Sequence, residues 1–297
     1  MRAIAYKKIL VPLDGSEYSE RAVQYAKTIA KKHGSEIVLF LVYPLEGLPE
    51  LKKVHYLNKL AHQLQIMGVT VYPVTAFGNP ADRIVNFSEE EDFDLIVMST
   101  HGHGGVSRWA AGSVTRKVMH ECNVPLLLIK AMSMTSEVDK INKTLVPLDG
   151  SAYSEECISY AAGIAEGSDS EITLLRVNET AELPALVLSG LVPDWEMHHQ
   201  RVVVAAQKGI HRYLETIMQV VGSTGVNARW ESTAGKAADE IIKYAESNDI
   251  GLVAISTHGE SGFGHWAFGS VANKVVESVS KPTLIIRPMP TVLDPAT

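Results

Sequence analysis

The stretch VPLDGSEYSE at residues 11–20 returns at residues 146–155 as VPLDGSAYSE, with Glu17 against Ala152 the one difference. A second pair follows in the same order, STHGHGGVSRWAAGSV at residues 99–114 and STHGESGFGHWAFGSV at residues 256–271. Each copy then closes on a helix-like run and a Pro-led apolar segment, VPLLLIK at residues 124–130 and KPTLIIR at residues 281–287. Ordered matches at a long period mark an internal repeat. The first pair is offset by 135 positions and the second by 157, so the second copy carries about 22 additional residues, placed near 178–199. The chain therefore divides into a first domain over 1–131, a linker over 132–142, a second domain over 143–288 and a tail over 289–297.

Working outward, Lys8 to Leu13 is an apolar run ending in Asp14-Gly15, a buried strand entering a turn. Residues 16–33 place Ala22, Tyr25, Ala26, Ile29 and Ala30 at helical spacing, and Gly34 follows as a C-cap. The spacing then predicts a strand over 37–42, a helix over 48–67, a strand over 69–75 and a short helix over 80–90 opened by Pro80. A strand over 95–99, a helix over 112–122 and a last strand over 125–129 complete the unit. Most of these strands are apolar throughout instead of alternating, which fits a sheet buried on both faces. Strand–helix alternation then predicts an α/β fold: two tandem, doubly wound, open parallel-sheet domains of Rossmann-like type.

Bulk properties narrow the function. The chain has 297 residues, 46% hydrophobic and 21% charged, with a formal net charge of −7. Nucleic-acid binding leans on a basic footprint, so an acidic balance argues against that partner and against anionic membranes. No apolar run reaches the ~18 residues of a membrane span, and the N-terminus lacks the apolar core and cleavage site of a signal peptide. A cytoplasmic protein is expected. Cys122 and Cys157 have no metal-type spacing and read as buried, reduced side chains. His198, His199 and His211 do not form a metal set, because adjacent helical residues point about 100° apart.

Ligands of open parallel sheets bind beyond the carboxyl ends of the strands. Two repeated motifs fall there: the turn of Pro12, Asp14, Gly15 and Ser16, and the loop entering a helix through Gly112 and Ser113. Free N–H groups and the helix dipole favour a phosphate at such a helix start. Gly102 allows backbone to approach a ligand, Ser113 adds a hydroxyl, and Asp14 can accept from a ribose hydroxyl or hold a metal ion on the phosphates. Each motif also has a purely structural use, as a turn with an N-cap. His101 and His258 are repeated as well; they either orient the loop or act as a base.

VPLDGS, then STHG, nine residues and GS, resembles the universal stress protein family, whose nucleotide-binding branch carries Gly, two residues, Gly, nine residues, then Gly and Ser or Thr. Gly102 and Gly112–Ser113 match the last two parts, as do Gly259 and Gly269–Ser270. The resemblance covers nearly the whole chain and implies a pseudo-symmetric pairing of the two domains through their last strands, with further homodimer formation possible. It implies ATP or another adenine nucleotide, possibly with magnesium, as ligand. Pro12 and Asp14 would border adenine and ribose, Val42 would offer its backbone to the adenine edge, and Gly102, Gly112, Ser113 and Val114 would line the phosphates. In the second copy those roles fall on Pro147, Asp149, Val177, Gly259, Gly269, Ser270 and Val271. The family's first glycine is Ser99 here, and Ser256 in the second copy, either crowding the pocket or adding a hydroxyl.

The copies differ at Arg108 against His265 and His103 against Glu260. A guanidinium suits phosphate and a carboxylate repels it, so the first site is expected to bind ATP more tightly. The adenine-nucleotide-binding stress or signalling module is the leading reading. A slow ATP hydrolase and a scaffold without nucleotide are the alternatives; the phosphate-loop signatures of adenylating and P-loop enzymes are absent from the sequence.

Overall fold

Strand β1 (Lys8–Leu13) is buried along all but its first residue and lies between two parallel neighbours, β2 (Glu36–Tyr43) and β4 (Leu95–Ser99). A computed structural model gives this arrangement and describes residues 2–44, 51–101, 112–130, 138, 141–165, 170–179, 195–222, 225–259 and 268–287. Ten strands form a single sheet in the order β3-β2-β1-β4-β5-β10-β9-β6-β7-β8. The first half supplies β3 (Thr70–Phe77) and β5 (Leu126–Ile129); the second supplies β6 (Lys143–Pro147), β7 (Glu171–Asn178), β8 (Asn227–Ala234), β9 (Leu252–Ser256) and β10 (Thr283–Ile286).

Helices cover both faces, as continuously apolar strands require. On one face α1 (Glu17–His33), α2 (Leu51–Ile66), α5 (Ala152–Ile164) and α6 (Trp195–Val221) bury a core containing Val11, Leu39, Val146 and Leu174. On the other, α3 (Pro80–Glu90), α4 (Ser113–Glu121), α7 (Ala237–Ser247) and α8 (Ser270–Ser278) pack over Leu10, Phe40, Ile96 and Leu145. The local signals are conventional. Ser16 caps α1 by accepting from Ser19 N–H, and Gly34 closes it in the left-handed conformation at φ 66°. Asn79 and Pro80 start α3 in the same manner. Helix α6 has 27 residues against 16 in α2.

The halves meet where β5 and β10 pair antiparallel, Thr283 opposite Leu128 and Ile285 opposite Leu126. The last strands thus join two parallel sheets about a pseudo-two-fold axis. Two cations at repeat-equivalent positions brace the seam. Lys130 donates to the carbonyl of Val276 near the end of α8, and Arg287 donates to the carbonyls of Met119 and His120 near the end of α4. Helix C-termini present unpaired carbonyls and negative dipole charge, so both contacts satisfy the backbone of the opposite half. The N-terminal segment crosses to the other half as well: Ile4 N–H donates to Ser159 O (3.0 Å) and Tyr6 Oη to Tyr160 O (2.9 Å).

The seam makes one stability prediction. Burial pulls the Lys130 ammonium down to about 8 against the opposing pull of Glu246 and Glu277. In the unfolded chain it titrates at its ordinary value of 10.5. Between those values the unfolded state binds the extra proton, so this lysine makes stability rise with pH across the window; below pH 8 its penalty is constant. Lys130→Met should remove a slope on the order of 1 kcal/mol per pH unit. Denaturant unfolding of both proteins at pH 7.5, 8.5 and 9.5 measures it; parallel wild-type and variant profiles would refute the assignment.

Candidate functional site

Both halves build the same turn at the end of their first strand. Asp14 Oδ1 accepts from Ser16 N (3.0 Å) and Ser16 Oγ (2.7 Å); Asp149 Oδ1 accepts from Ser151 N (2.9 Å) and Ser151 Oγ (2.6 Å). Between them Gly15 and Gly150 adopt φ 86° and 90°, where a Cβ is strained. Each serine in turn caps the following helix. The capping reading of this motif is therefore correct as far as Ser16 and Ser151 go. The aspartates have a second role, seen in the second half. A Cβ built on Gly259 would lie 2.3 Å from Asp149 Oδ2, so the first turn and the loop after β9 touch at carboxylate and glycine.

The loops after β4 and β9 show where the serines in the family's first glycine position go. Ser99 and Ser256 are nearly wholly buried, and their hydroxyls accept from the N–H groups of His101 (3.4 Å) and His258 (3.2 Å). Each oxygen braces its own turn, while Ser256 remains part of the cavity wall described below. The histidines are pinned locally: His101 Nδ1 lies 3.0 Å from Thr100 Oγ1 and His258 Nδ1 lies 2.8 Å from Thr257 Oγ1. That contact engages Nδ1 and orients the ring.

Helices α4 and α8 begin at Gly112 and Gly269, and neither has a side-chain cap. Both glycines donate their N–H to the preceding loop, to Thr100 O and Thr257 O at 2.8 Å. The next N–H groups, of Ser113 and Val114 or Ser270 and Val271, thus stand at an uncapped helix start, the arrangement that receives anions.

In the second half these parts surround one cavity of about 860 Å³. Pro147, Asp149, Val177, Gly259, Gly269, Ser270 and Val271 all line it. Pockets for small ligands and cofactors run from about 300 to 1,000 Å³. In the first half Pro12 lies near the end of β1 with Asp14 just beyond it, Val42 is the penultimate residue of β2, and Gly112, Ser113 and Val114 start α4, at the repeat-equivalent positions. Gly102, His103, Arg108, Glu260 and His265 lie outside the described residues, as do 180–194 of the additional segment.

Three cavity residues escape a motif reading. Arg176 lines the wall and donates from Nη1 to Leu148 O (3.1 Å). Asn178, buried at the end of β7, stands where the first half has Tyr43. Tyr213, from α6, donates to Glu155 Oε1 (3.0 Å); burial and that carboxylate push its phenol well above the ordinary tyrosine range. In the first half Tyr56 stands at the equivalent position, and burial and the nearby Glu20 raise its phenol likewise. Signals existed: Arg176 is a charge inside an apolar strand, and the Glu–Tyr pairs recur across the change of offset.

Among the described residues, no helix is long and apolar enough to cross a membrane, and no cluster of His, Cys, Asp or Glu is arranged to hold a metal. The model of the universal stress protein family matches twice, over residues 5–130 and 140–287. A universal stress protein of Methanocaldococcus jannaschii is 36% identical over 140 residues, 42% of this chain and 82% of its own. Another, from Synechocystis, is 23% identical over 95% of this chain and 100% of its own length. In structure, a universal stress protein from Archaeoglobus fulgidus superposes with a TM-score of 0.69 over 94% of this chain and 98% of its own, at 19% identity, a likeness of fold. With both repeats matched and the doubly wound halves joined through their last strands, the chain belongs to the universal stress protein family.

Proposed function

We propose that the protein is an adenine-nucleotide-binding stress or signalling module, with ATP as the leading ligand and one pocket in each half. The observation that carries this reading is the cavity of about 860 Å³ in the second half, bordered by every contact residue that the family resemblance assigns there. Its lining suits the task. The uncapped start of α8 offers backbone N–H groups to phosphates, and Asp149, with Oδ1 held by Ser151, offers a carboxylate to ribose hydroxyls. Val177, at the end of β7, supplies backbone to the base. Magnesium would enter as the counter-ion of the ATP phosphates, not on a preformed set of protein ligands.

The direct experiment denatures freshly purified protein and identifies the released small molecules by mass spectrometry, beside a Gly112→Val/Gly269→Val variant. Both glycines have φ −58°, which valine adopts. The added Cβ would stand at ordinary contact, 3.6 Å, from Thr100 O, and 3.1 Å from Thr257 O, where that carbonyl must shift by a few tenths of an ångström; circular dichroism of the variant checks that it is folded, and the side chains block the phosphate approach. An adenylate in the wild type, lost from the folded variant, is the expected result. No adenylate in either, together with no binding on titration with ATP and Mg²⁺, would favour the scaffold. Steady phosphate release would favour the slow hydrolase.

A further inference from the structure

Helices α4 and α8, whose starts are uncapped, are each held at the other end by the opposite half, and each holding residue is one peptide away from the loop of its own half. Lys130 donates to Val276 O near the end of α8. The carbonyl before it, of Ile129, accepts from Thr100 N (2.9 Å), and Thr100 O accepts from Gly112 N (2.8 Å) at the start of α4. The second half repeats this chain of bonds. Arg287 donates to Met119 O (3.2 Å) and His120 O near the end of α4. Ile286 O accepts from Thr257 N (2.9 Å), and Thr257 O accepts from Gly269 N (2.8 Å) at the start of α8. The two chains close a ring through both helices.

A more direct contact lies inside that ring. The His120 imidazole meets Phe268 edge-on, with ring centroids 5.6 Å apart, and Phe268 immediately precedes Gly269. Helix α4, with nine residues and a length of about 14 Å, therefore starts at the first candidate pocket and ends against the residue that leads into α8. The repeat-equivalent residues are Glu277 and Ala111, so the aromatic pair belongs to one side of the seam.

Close-packed side chains and hydrogen-bonded helices pass a displacement at one end to the other. An anion at a helix start and a cation at its carboxyl end both oppose the same dipole, and linked hydrogen bonds polarise one another, so each end strengthens the hold on the other. Phosphate on α8 thus tightens Lys130 on Val276, and with it the Ile129–Thr100–Gly112 chain that sets the start of α4. Phosphate on α4 acts on α8 in the same way through Arg287 and His120. We propose that the two pockets bind nucleotide with positive cooperativity, coupled across the seam, and that His120 is the positioning residue of that coupling. The inference rests on the adenylate reading above. It concerns the doubly occupied state, and leaves the affinity of each pocket with the other empty as it is.

Equilibrium dialysis of the full chain with radiolabelled ATP and Mg²⁺ tests this, with Gly112→Val and Gly269→Val each leaving one pocket open. The product of the two single-pocket association constants is the double-occupancy constant of independent pockets. The wild type should exceed it by about fivefold. In a His120→Ala background the excess should fall to near one; in His120→Phe, which keeps a ring against Phe268, it should persist. Arg287→Met should lower it, and Arg287→Lys, which copies Lys130, should retain it. Two occupied pockets with no excess in the wild type, or an undiminished excess in His120→Ala, would overturn the coupling and leave the seam contacts as braces. ATP at one pocket alone would overturn the coupling and sustain the adenylate reading there. ATP at neither pocket would overturn the adenylate reading and this inference with it.

Discussion

Gly163→Ala is expected to lower the unfolding midpoint by about 5–10 °C, from a loss of roughly 2–4 kcal/mol. The residue lies inside α5, where alanine would ordinarily gain about 1 kcal/mol of helix propensity. Packing reverses the sign. A Cβ at this position would stand 2.1 Å from Ile4 O and 3.0 Å from Tyr6 Cε2, and the first contact is backbone, which cannot rotate away. The N-terminal segment must lift from α5. It would carry with it the Ile4–Ser159 and Tyr6–Tyr160 hydrogen bonds, each worth about 1 kcal/mol net, and part of the burial of Tyr6, itself 0% exposed. The neighbouring carbonyl contacts, Lys32 on Ile164 (2.8 Å) and His33 on Gly163 (2.9 Å), would loosen too. Gly209→Ala is the internal control: it is also a helical glycine, but a Cβ there has no heavy atom within 4 Å, so it should be neutral or stabilising. Thermal unfolding of both variants decides the matter. A clear loss in the first and none in the second is predicted; a Gly163→Ala protein as stable as wild type would mean that the crossing segment contributes nothing.

The contrast between these glycines shows what the sequence could and could not carry. Period and composition are local, so the strands β1, β2 and β4, the caps at Ser16 and Gly34 and the helix opened by Pro80 were all readable from residues 8–99. The repeat supplied the second half without a second derivation. The candidate site could be assembled because its parts are short backbone motifs at strand ends: seven residues read from spacing and resemblance border one cavity. What stayed hidden depends on contacts far apart in the chain. Gly163 looks like any small residue until Ile4 arrives from 159 positions away. Lys130 and Arg287 read as ordinary strand-end cations until the antiparallel seam sets each on the other half's helix. Arg176 was visible as a break in an apolar run, but its place in the cavity wall with Tyr213 of α6 required the fold.

Gly259→Ala should cost the second pocket about 10- to 100-fold in adenylate affinity, equivalent to about 1.4–2.8 kcal/mol, and leave the first pocket untouched. The cause is the approach of 2.3 Å between a Cβ at 259 and Asp149 Oδ2. The carboxylate has little freedom to yield, since its other oxygen holds both the N–H and the hydroxyl of Ser151, which in turn caps α5. Alanine therefore either turns Asp149 out of its proposed place beside the ribose or pushes the β9 loop away from the start of α8. Both changes disturb positions where about an ångström of misplacement matters. Calorimetry with ATP and Mg²⁺ should show the stoichiometry fall from two sites toward one. A double-mutant cycle separates the causes. If the loss runs through the carboxylate, Asp149→Ala and Gly259→Ala should be strongly non-additive, the second adding little once the first is present. Additive losses would place the damage in the loop, and two unchanged sites in Gly259→Ala would remove this glycine from the binding surface altogether.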